Sequence, residues 1–172
     1  MTKRTIHSKH LFKDFKLPQE YFPPIIIAYD IRTPENIGSI IRLADNIGCE
    51  KVLFITEENK LRESKIKKTA ASSYNSVNWK FCSEEEFKNE IPKDYAIFAI
   101  ETTSDSANIY KTELPNKIAF VVGNEINGIS FDFLNECHKI VHIPIYGKNT
   151  SLNVSHALAI SLFEWQKRIA GL

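Results

Sequence analysis

Polar side chains gather near the start of the last predicted helix. Ser151, Asn153 and Ser155 follow the short apolar run at 143–145 and a polar loop that contains Gly147. The free N–H groups and the partial positive charge at a helix start favour anions and polar ligands. This stretch is therefore a candidate ligand site, although Ser151 and Asn153 could also serve only as caps of the helix.

A second group of polar residues lies near the first predicted helix. Asn36 precedes that helix, where an asparagine most often caps the free N–H groups. Arg42 lies on the side of the helix opposite to its isoleucines. A solvated surface residue is the simplest interpretation of Arg42, but a guanidinium at this position could also reach a phosphate or a partner subunit.

Glu125 marks a third candidate position. It follows the fifth predicted strand and lies between Gly123 and Gly128. In open parallel sheets, ligands bind at the carboxyl ends of the strands. The two glycines would let the backbone approach a ligand closely. The alternative is a solvated acid in a turn.

Short apolar, β-branched runs alternate with helical patterns along the chain. Strands are predicted at 25–30, 52–56, 76–81, 95–101, 117–123 and 139–145, and helices at about 36–48, 60–71, 84–90, 131–137 and 153–170. This alternation predicts an α/β fold with a mainly parallel sheet and helices on both faces. We expect one domain over 25–172, preceded by a basic leader over 1–24.

Composition excludes several classes of protein. The formal net charge is only +1, so a nucleic-acid partner would have to be bound by local patches. Three cysteines without C-x-x-C spacing favour neither a disulfide framework nor a metal site. No apolar run approaches the ~20 residues of a membrane span, and the N-terminus has no signal-peptide core. We therefore expect a cytoplasmic protein that holds no metal.

The last predicted helix is apolar on two sides. One stripe runs along the helix at helical spacing, and Ile160 and Phe163 point well away from it, with His156 beside them. A helix that is apolar on two sides is buried on two sides. Either another segment of the chain or a second copy of the protein would cover the second face.

Three motifs in order resemble the SpoU/TrmH family of SPOUT-class RNA methyltransferases. They are NIGSIIR at 36–42, GNEINGIS at 123–130 and IPIYGKNTSLNVSHA at 143–157. The resemblance covers roughly residues 24–170. It implies a fold with a C-terminal trefoil knot, between about Gly123 and the last helix. It also implies a homodimer formed through the C-terminal helix region.

The resemblance further implies S-adenosylmethionine as the cofactor and a ribose 2′-hydroxyl of tRNA or rRNA as the methyl acceptor. The residues expected to line the cofactor are Thr102, Gly123, Ile143 and Leu152, with Glu125 nearby. The sequence does not indicate which RNA or which nucleotide is methylated.

In the resembling family, Arg42 would be the catalytic arginine, supported by Asn36, Glu125, Ser151 and Asn153. An arginine side chain has a pKa above ~12, so it is a poor general base at neutral pH. Arg42 could instead bind the neighbouring phosphate and stabilise the developing alkoxide charge. The sequence leaves both roles open. It also does not indicate whether Arg42 would act at the cofactor site of its own chain or at that of a partner subunit.

Two other functions compete with this interpretation. The first is a catalytically silent RNA-binding protein of the same fold, which would not need the complete set of five polar residues. The second is a flavodoxin-like nucleotide-binding module, which needs a phosphate loop after the first strand, where PENIG is a poor one. If the protein binds RNA, as a methyltransferase or as a silent protein of the same fold, the basic residues of the leader and of segment 60–68 are candidates for contacting it.

Overall fold

A single parallel sheet organises the fold in the computed structural model, which describes residues 18, 20–56 and 62–171. The described strands are β1 (Ile25–Tyr29), β2 (Lys51–Ile55), β3 (Trp79–Cys82), β4 (Ala96–Ile100), β5 (Ala107–Asn108), β6 (Ile118–Val122) and β7 (Lys139–His142). Their order across the sheet is β3-β2-β1-β6-β4-β7-β5, and each of these neighbouring pairs is parallel. The sequence predicted six of these strands but not β5, whose two residues are too short to show a pattern.

Six α-helices lie between or after the strands in the described part of the chain. They are α1 (Pro34–Ile47), α2 (Glu63–Ala70), α3 (Ser73–Ser76), α4 (Glu84–Glu90), α5 (Phe131–Asn135) and α6 (Val154–Ile169). Of the helix predicted over 60–71, residues 60 and 61 lie outside the described residues. The short helix α3 was not predicted, and the strand expected from residue 76 begins only at Trp79.

Local signals set several helix ends. Helix α1 ends at Gly48, whose φ of 67° is left-handed and costs a glycine little. Helix α4 begins with a capping box, in which the Ser83 side chain accepts a hydrogen bond from the Glu86 N–H and the Glu86 carboxylate accepts one from the Ser83 N–H.

The sheet is covered on both faces, as predicted. Alternate residues of β1 point to opposite sides, so Ile26 packs with α1, α2 and α6, while Ile27 packs with Phe87 of α4 and Phe133 of α5. Because both faces are buried, the central strands read as continuous apolar runs. Among the described residues, no helix combines the length and the apolar character needed to cross a bilayer.

Helix α6 is held by the segment that precedes β6. Trp165 is fully buried, and its indole N–H donates to the Pro115 carbonyl at 2.9 Å. Arg168 donates to the carbonyls of Thr112 and Ile109. Segment 109–115 thus lies against the C-terminal half of α6. On the other side of this helix Phe163 remains 50% exposed.

Candidate functional site

A cavity of about 520 Å³ opens at the carboxyl ends of β4, β6 and β7. Its walls come from the segments that follow these strands and from the start of α6. The polar or backbone-lined part of the wall consists of Glu101, Thr102, Gly123, Asn124, Glu125, Gly128, His142, Asn149, Thr150, Ser151 and Asn153. The apolar part consists of Ile100, Val122, Ile126, Ile143, Ile145, Leu152, Val154 and Ala157. A volume of this size suits a small organic molecule.

Hydrogen bonds join one residue from each of the three motifs beside this cavity. The Asn36 amide nitrogen donates to Glu125 Oε1 at 2.6 Å, and the Asn153 amide nitrogen donates to Asn36 Oδ1 at 3.1 Å. These partners lie 89 and 117 residues apart along the chain. Asn36 is only 8% exposed. These two hydrogen bonds give both its amide nitrogen and its carbonyl oxygen a partner, as a buried amide requires.

The capping role considered for Asn36 is wrong. Helix α1 begins two residues earlier than its pattern indicated, with Pro34 in the first turn and Thr33 at the N-cap position. Asn36 therefore lies inside the helix, and its side chain turns to Glu125 and Asn153. Asn153 does cap α6, because its Oδ1 accepts from the Ser155 N–H at 2.9 Å while its amide nitrogen reaches Asn36.

The loop that carries Glu125 is fixed by its own backbone. Asn124 and Gly128 exchange backbone hydrogen bonds of 3.1 and 2.9 Å, and Asn124 Oδ1 accepts from the N–H of Ile126. Gly128 has a left-handed φ of 66°. A Cβ on Gly123 would lie 2.5 Å from the carbonyl carbon of Gly128. Gly123 thus allows a close approach within the protein, and the approach of a ligand to these two glycines stays a prediction.

Glu101 is a functional candidate that the sequence did not indicate. Its Oε1 accepts from the Thr102 N–H at 2.9 Å, and its Oε2 accepts from the Ile129 N–H at 3.2 Å. The carboxylate therefore ties the segment after β4 to the loop after β6. The only signal in the sequence was a carboxylate at the end of a predicted strand.

His142 is a second cavity residue that was missed. Its Nδ1 lies 2.9 Å from the Ser106 hydroxyl, which itself donates to the Thr103 carbonyl at 2.8 Å. Nδ1 also lies 3.1 Å from the Ser106 carbonyl oxygen, which can only accept, so Nδ1 is the donor in this contact. This contact holds the imidazole against the edge strand β5.

The structure brings most of the predicted site residues together. The cavity is lined by all four residues expected to hold the cofactor, which are Thr102, Gly123, Ile143 and Leu152. It is also lined by the exposed Ser151 and by Glu125 and Asn153, the two residues bonded to Asn36. Arg42 is the exception. It follows Asn36 by six residues, which places it about 9 Å further along α1 and on another side of the helix. Its side chain is exposed, and no described residue forms a hydrogen bond or ion pair with it.

The first turn of α1 is tied to α2 through Glu35. Lys65 Nζ lies 2.9 Å from Glu35 Oε1. The hydrogen bond from Lys65 lowers the pKa of Glu35. Gly38 lets the two helices approach, because a Cβ there would lie 2.6 Å from the Thr69 Cβ. The α1–α2 packing thus supports the helix that presents Asn36.

Comparison with known proteins places these motifs in a family. The 23S rRNA (guanosine-2'-O-)-methyltransferase RlmB of Blochmanniella floridana is 29% identical over 160 residues, which are 92% of this chain and 63% of the relative. The tRNA (guanosine(18)-2'-O)-methyltransferase of Aquifex aeolicus (strain VF5) is 29% identical over 152 residues, 84% of this chain and 69% of the relative. The chain thus spans somewhat less than two thirds of the length of the first relative.

A solved structure shares the fold. An AdoMet-bound rRNA methyltransferase from Sinorhizobium meliloti superposes with a TM-score of 0.78 at 21% identity, over 88% of this chain and 59% of that one. The SpoU rRNA Methylase family matches residues 23–163, which include all three motifs. The chain belongs to the SpoU rRNA Methylase family.

Proposed function

We propose that this protein transfers a methyl group from S-adenosylmethionine to a ribose 2′-hydroxyl of tRNA or rRNA. The observation that carries the proposal is the hydrogen-bonded chain Glu125–Asn36–Asn153 at a cavity at the carboxyl ends of the sheet. Family membership and the two relatives, which are named as 2′-O-methyltransferases of rRNA and tRNA, support it. Such substrates agree with a cytoplasmic location.

The residues of the cavity fit S-adenosylmethionine. Apolar side chains and backbone make up much of the wall, and the charged side chains among the described lining residues are the carboxylates of Glu101 and Glu125. Negative walls favour a ligand that carries a sulfonium and an ammonium. Thr102, Gly123 and Ile143 would hold the cofactor largely through backbone. When bound, the cofactor would supply an electrophilic methyl group for the ribose 2′-oxygen.

The polar residues at the cavity would orient the acceptor. The buried Asn36 amide holds the Glu125 carboxylate in one place, and Asn153 fixes the start of α6 against α1. Ser151 lies exposed on the cavity wall, so its hydroxyl is available to a ribose. In this arrangement Asn36 is a positioning residue, and Glu125 and Ser151 face the substrate.

For Arg42 we propose electrostatic action on the RNA. Its exposed guanidinium has no described partner inside the chain, which leaves its donors available to a phosphate beside the methylated ribose. A fixed positive charge there would also stabilise the alkoxide that develops during transfer. This role requires no loss of a proton from the guanidinium.

The test measures methyl transfer and cofactor binding separately. With labelled S-adenosylmethionine and bulk tRNA and rRNA, Arg42→Ala is expected to abolish transfer while the Kd for the cofactor changes less than about twofold. Arg42→Lys keeps the charge but not the planar fork, so partial transfer is expected. Unchanged transfer by Arg42→Ala would refute the role of this residue, and wild-type protein that neither binds the cofactor nor labels RNA would refute the function.

The basic segment 60–68, which runs into α2, is part of the proposed RNA surface. Lys65 and Lys67 already form ion pairs with carboxylates of α1 and α2, whereas no described residue forms an ion pair with the exposed Arg62 or Lys68. The leader residues 1–17 and 19, and Lys60, lie outside the described residues. Arg62→Ala is expected to weaken RNA binding, and so to raise KM, without changing the rate at saturating RNA.

We also propose a homodimer through α6 and a trefoil knot at the C-terminal end of the sheet. The half-exposed Phe163 and the partly buried Ile160 support the dimer, since an apolar helix face in contact with water is unfavourable. The packing of segment 109–115 against α6 supports the knot. Light scattering at micromolar concentration should give twice the mass of the 19.7 kDa chain, and Phe163→Asp should give a monomer. A wild-type monomer would contradict the dimer.

A further inference from the structure

The proposed cofactor cavity contains two carboxylates that are held differently. Glu125 is exposed, and its Oε1 accepts from the Asn36 side chain. Glu101 is half-buried, and both of its hydrogen bonds come from backbone N–H groups. Among the described residues that line the cavity there is no lysine or arginine to neutralise either one.

The position of Glu101 is fixed by the loop opposite to it. Because Oε1 and Oε2 each accept from an N–H, both oxygens act as acceptors, as in a carboxylate. The carboxylate also approaches Gly128 so closely that a Cβ there would lie 2.6 Å from Oε2. A charge held in this way changes its position little when a ligand binds.

We propose that Glu101 makes the cavity selective for the sulfonium form of the cofactor over the thioether product. The inference rests on the proposed function, because it needs S-adenosylmethionine as the ligand. Transfer of the methyl group removes one positive charge from the ligand and leaves its shape nearly unchanged. A fixed anion in the wall therefore stabilises the methyl donor more than S-adenosylhomocysteine.

This selectivity has a consequence for turnover. The charge that favours binding of the methyl donor disappears when the methyl group leaves. The product keeps its ammonium but has lost the sulfonium charge that Glu101 stabilises, so it dissociates more readily and competes less with fresh donor. Glu101 would thus be a specificity-determining residue that limits product inhibition.

The test compares three ligands by calorimetric titration, without RNA. The probes are S-adenosylmethionine, S-adenosylhomocysteine and sinefungin, which carries an amine in place of the methyl-sulfonium group. For Glu101→Gln we expect the Kd of both cationic ligands to rise about tenfold, which is about 1.4 kcal/mol. The Kd of S-adenosylhomocysteine should change less than about twofold.

Two further variants serve as controls. Glu101→Asp keeps the charge with a shorter side chain, so most of the preference for cationic ligands should survive. Glu113→Gln removes the same charge from an exposed position that does not line the cavity, so all three Kd values should stay unchanged. Binding of S-adenosylhomocysteine by each variant also shows that the variant is folded.

The outcomes separate the inference from the function on which it rests. An equal rise in all three Kd values would mean that Glu101 only supports the loop, and would overturn the inference. No change in any Kd would also overturn it. Wild-type protein that binds none of the three ligands would refute the proposed function and the inference with it.

Discussion

Replacing Asn36 with aspartate tests the contact that joins the three motifs. The change keeps the side-chain shape and the Oδ1 acceptor for Asn153, but it turns the amide nitrogen, 2.6 Å from Glu125 Oε1, into a second carboxylate oxygen. The hydrogen bond to a charged acceptor is lost, and two like charges face each other.

The expected loss of stability can be worked from these two effects. A hydrogen bond to a charged group contributes about 1.5–3 kcal/mol, and the low end applies because Glu125 is exposed. Two unit charges about 4 Å apart repel by about 1 kcal/mol in water and about 4 kcal/mol near a protein surface, and solvation of Glu125 again favours the low end. The sum is about 3 kcal/mol at pH 8.

The loss should depend on pH with a definite sign. The carboxyl pair in the folded variant would have a raised pKa, because it is easier to share one proton than to hold two charges. The variant is therefore most stable below the pKa of the carboxyl groups in the unfolded chain, which is ~4. Its stability falls as the pH rises through the raised pKa of the pair in the folded protein. We expect a loss of about 1 kcal/mol at pH 4.

Urea unfolding followed by circular dichroism at the two pH values measures this loss. Asn75→Asp is the matched control, because Asn75 is exposed on α3 and the same charge there should change the free energy of unfolding by less than about 0.5 kcal/mol. If Asn36→Asp loses no more stability at pH 8 than Asn75→Asp does, the Glu125–Asn36 contact does not have the role assigned to it.

Three further predictions concern other contacts of the fold. Gly128→Ala should lower the free energy of unfolding in urea by about 3 kcal/mol and Gly48→Ala by about 1 kcal/mol. Both glycines have a positive φ, but only at Gly128 would a new Cβ lie within 3 Å of a side chain. Equal losses would contradict this. Burial raises the pKa of the Cys137 thiol to about 12, so at pH 8 a disulfide reagent should label it far more slowly in native than in urea-unfolded protein. Hydrogen bonds from Lys80 and then Lys51 lower the pKa of Glu90 below its ordinary 4.5. The Glu90 carboxylate therefore stabilises the fold above pH 4.5, and this contribution is lost as the pH falls through the lowered pKa. Between about pH 6 and pH 3, Glu90→Gln should consequently lose less stability than the wild-type protein does.

Local patterns were sufficient to predict most of the fold. Strand β1 is recognisable as a short continuous apolar run, and helix α1 is recognisable because its apolar residues recur with the helical period. Gly48 marks the end of α1 in the sequence itself. Strand β5 and helix α3 were missed because they contain two and four residues, which is too short for a period to be seen. Tertiary pairing with β7 decides the conformation of β5.

The site was predictable as a set of residues but not as a geometry. The order of the three motifs indicated that Asn36, Glu125 and Asn153 belong to one site. Their hydrogen bonds connect distant parts of the chain, and local sequence does not specify such contacts. The capping signal at Asn36 was misleading because Pro34 starts the helix earlier. Glu101 went unnoticed because its role depends on a backbone N–H after residue 128.

The position of the transferred methyl group tests the central claim most directly. The purified protein is incubated with tritium-labelled S-adenosylmethionine and with separated tRNA and rRNA from a host that lacks this gene, and the labelled RNA is digested to nucleosides. The proposed function predicts label in a 2′-O-methylated nucleoside. In the intact RNA, the phosphodiester bond next to that nucleoside should resist alkaline hydrolysis. Label on a base, or no label in either RNA despite cofactor binding, would contradict it.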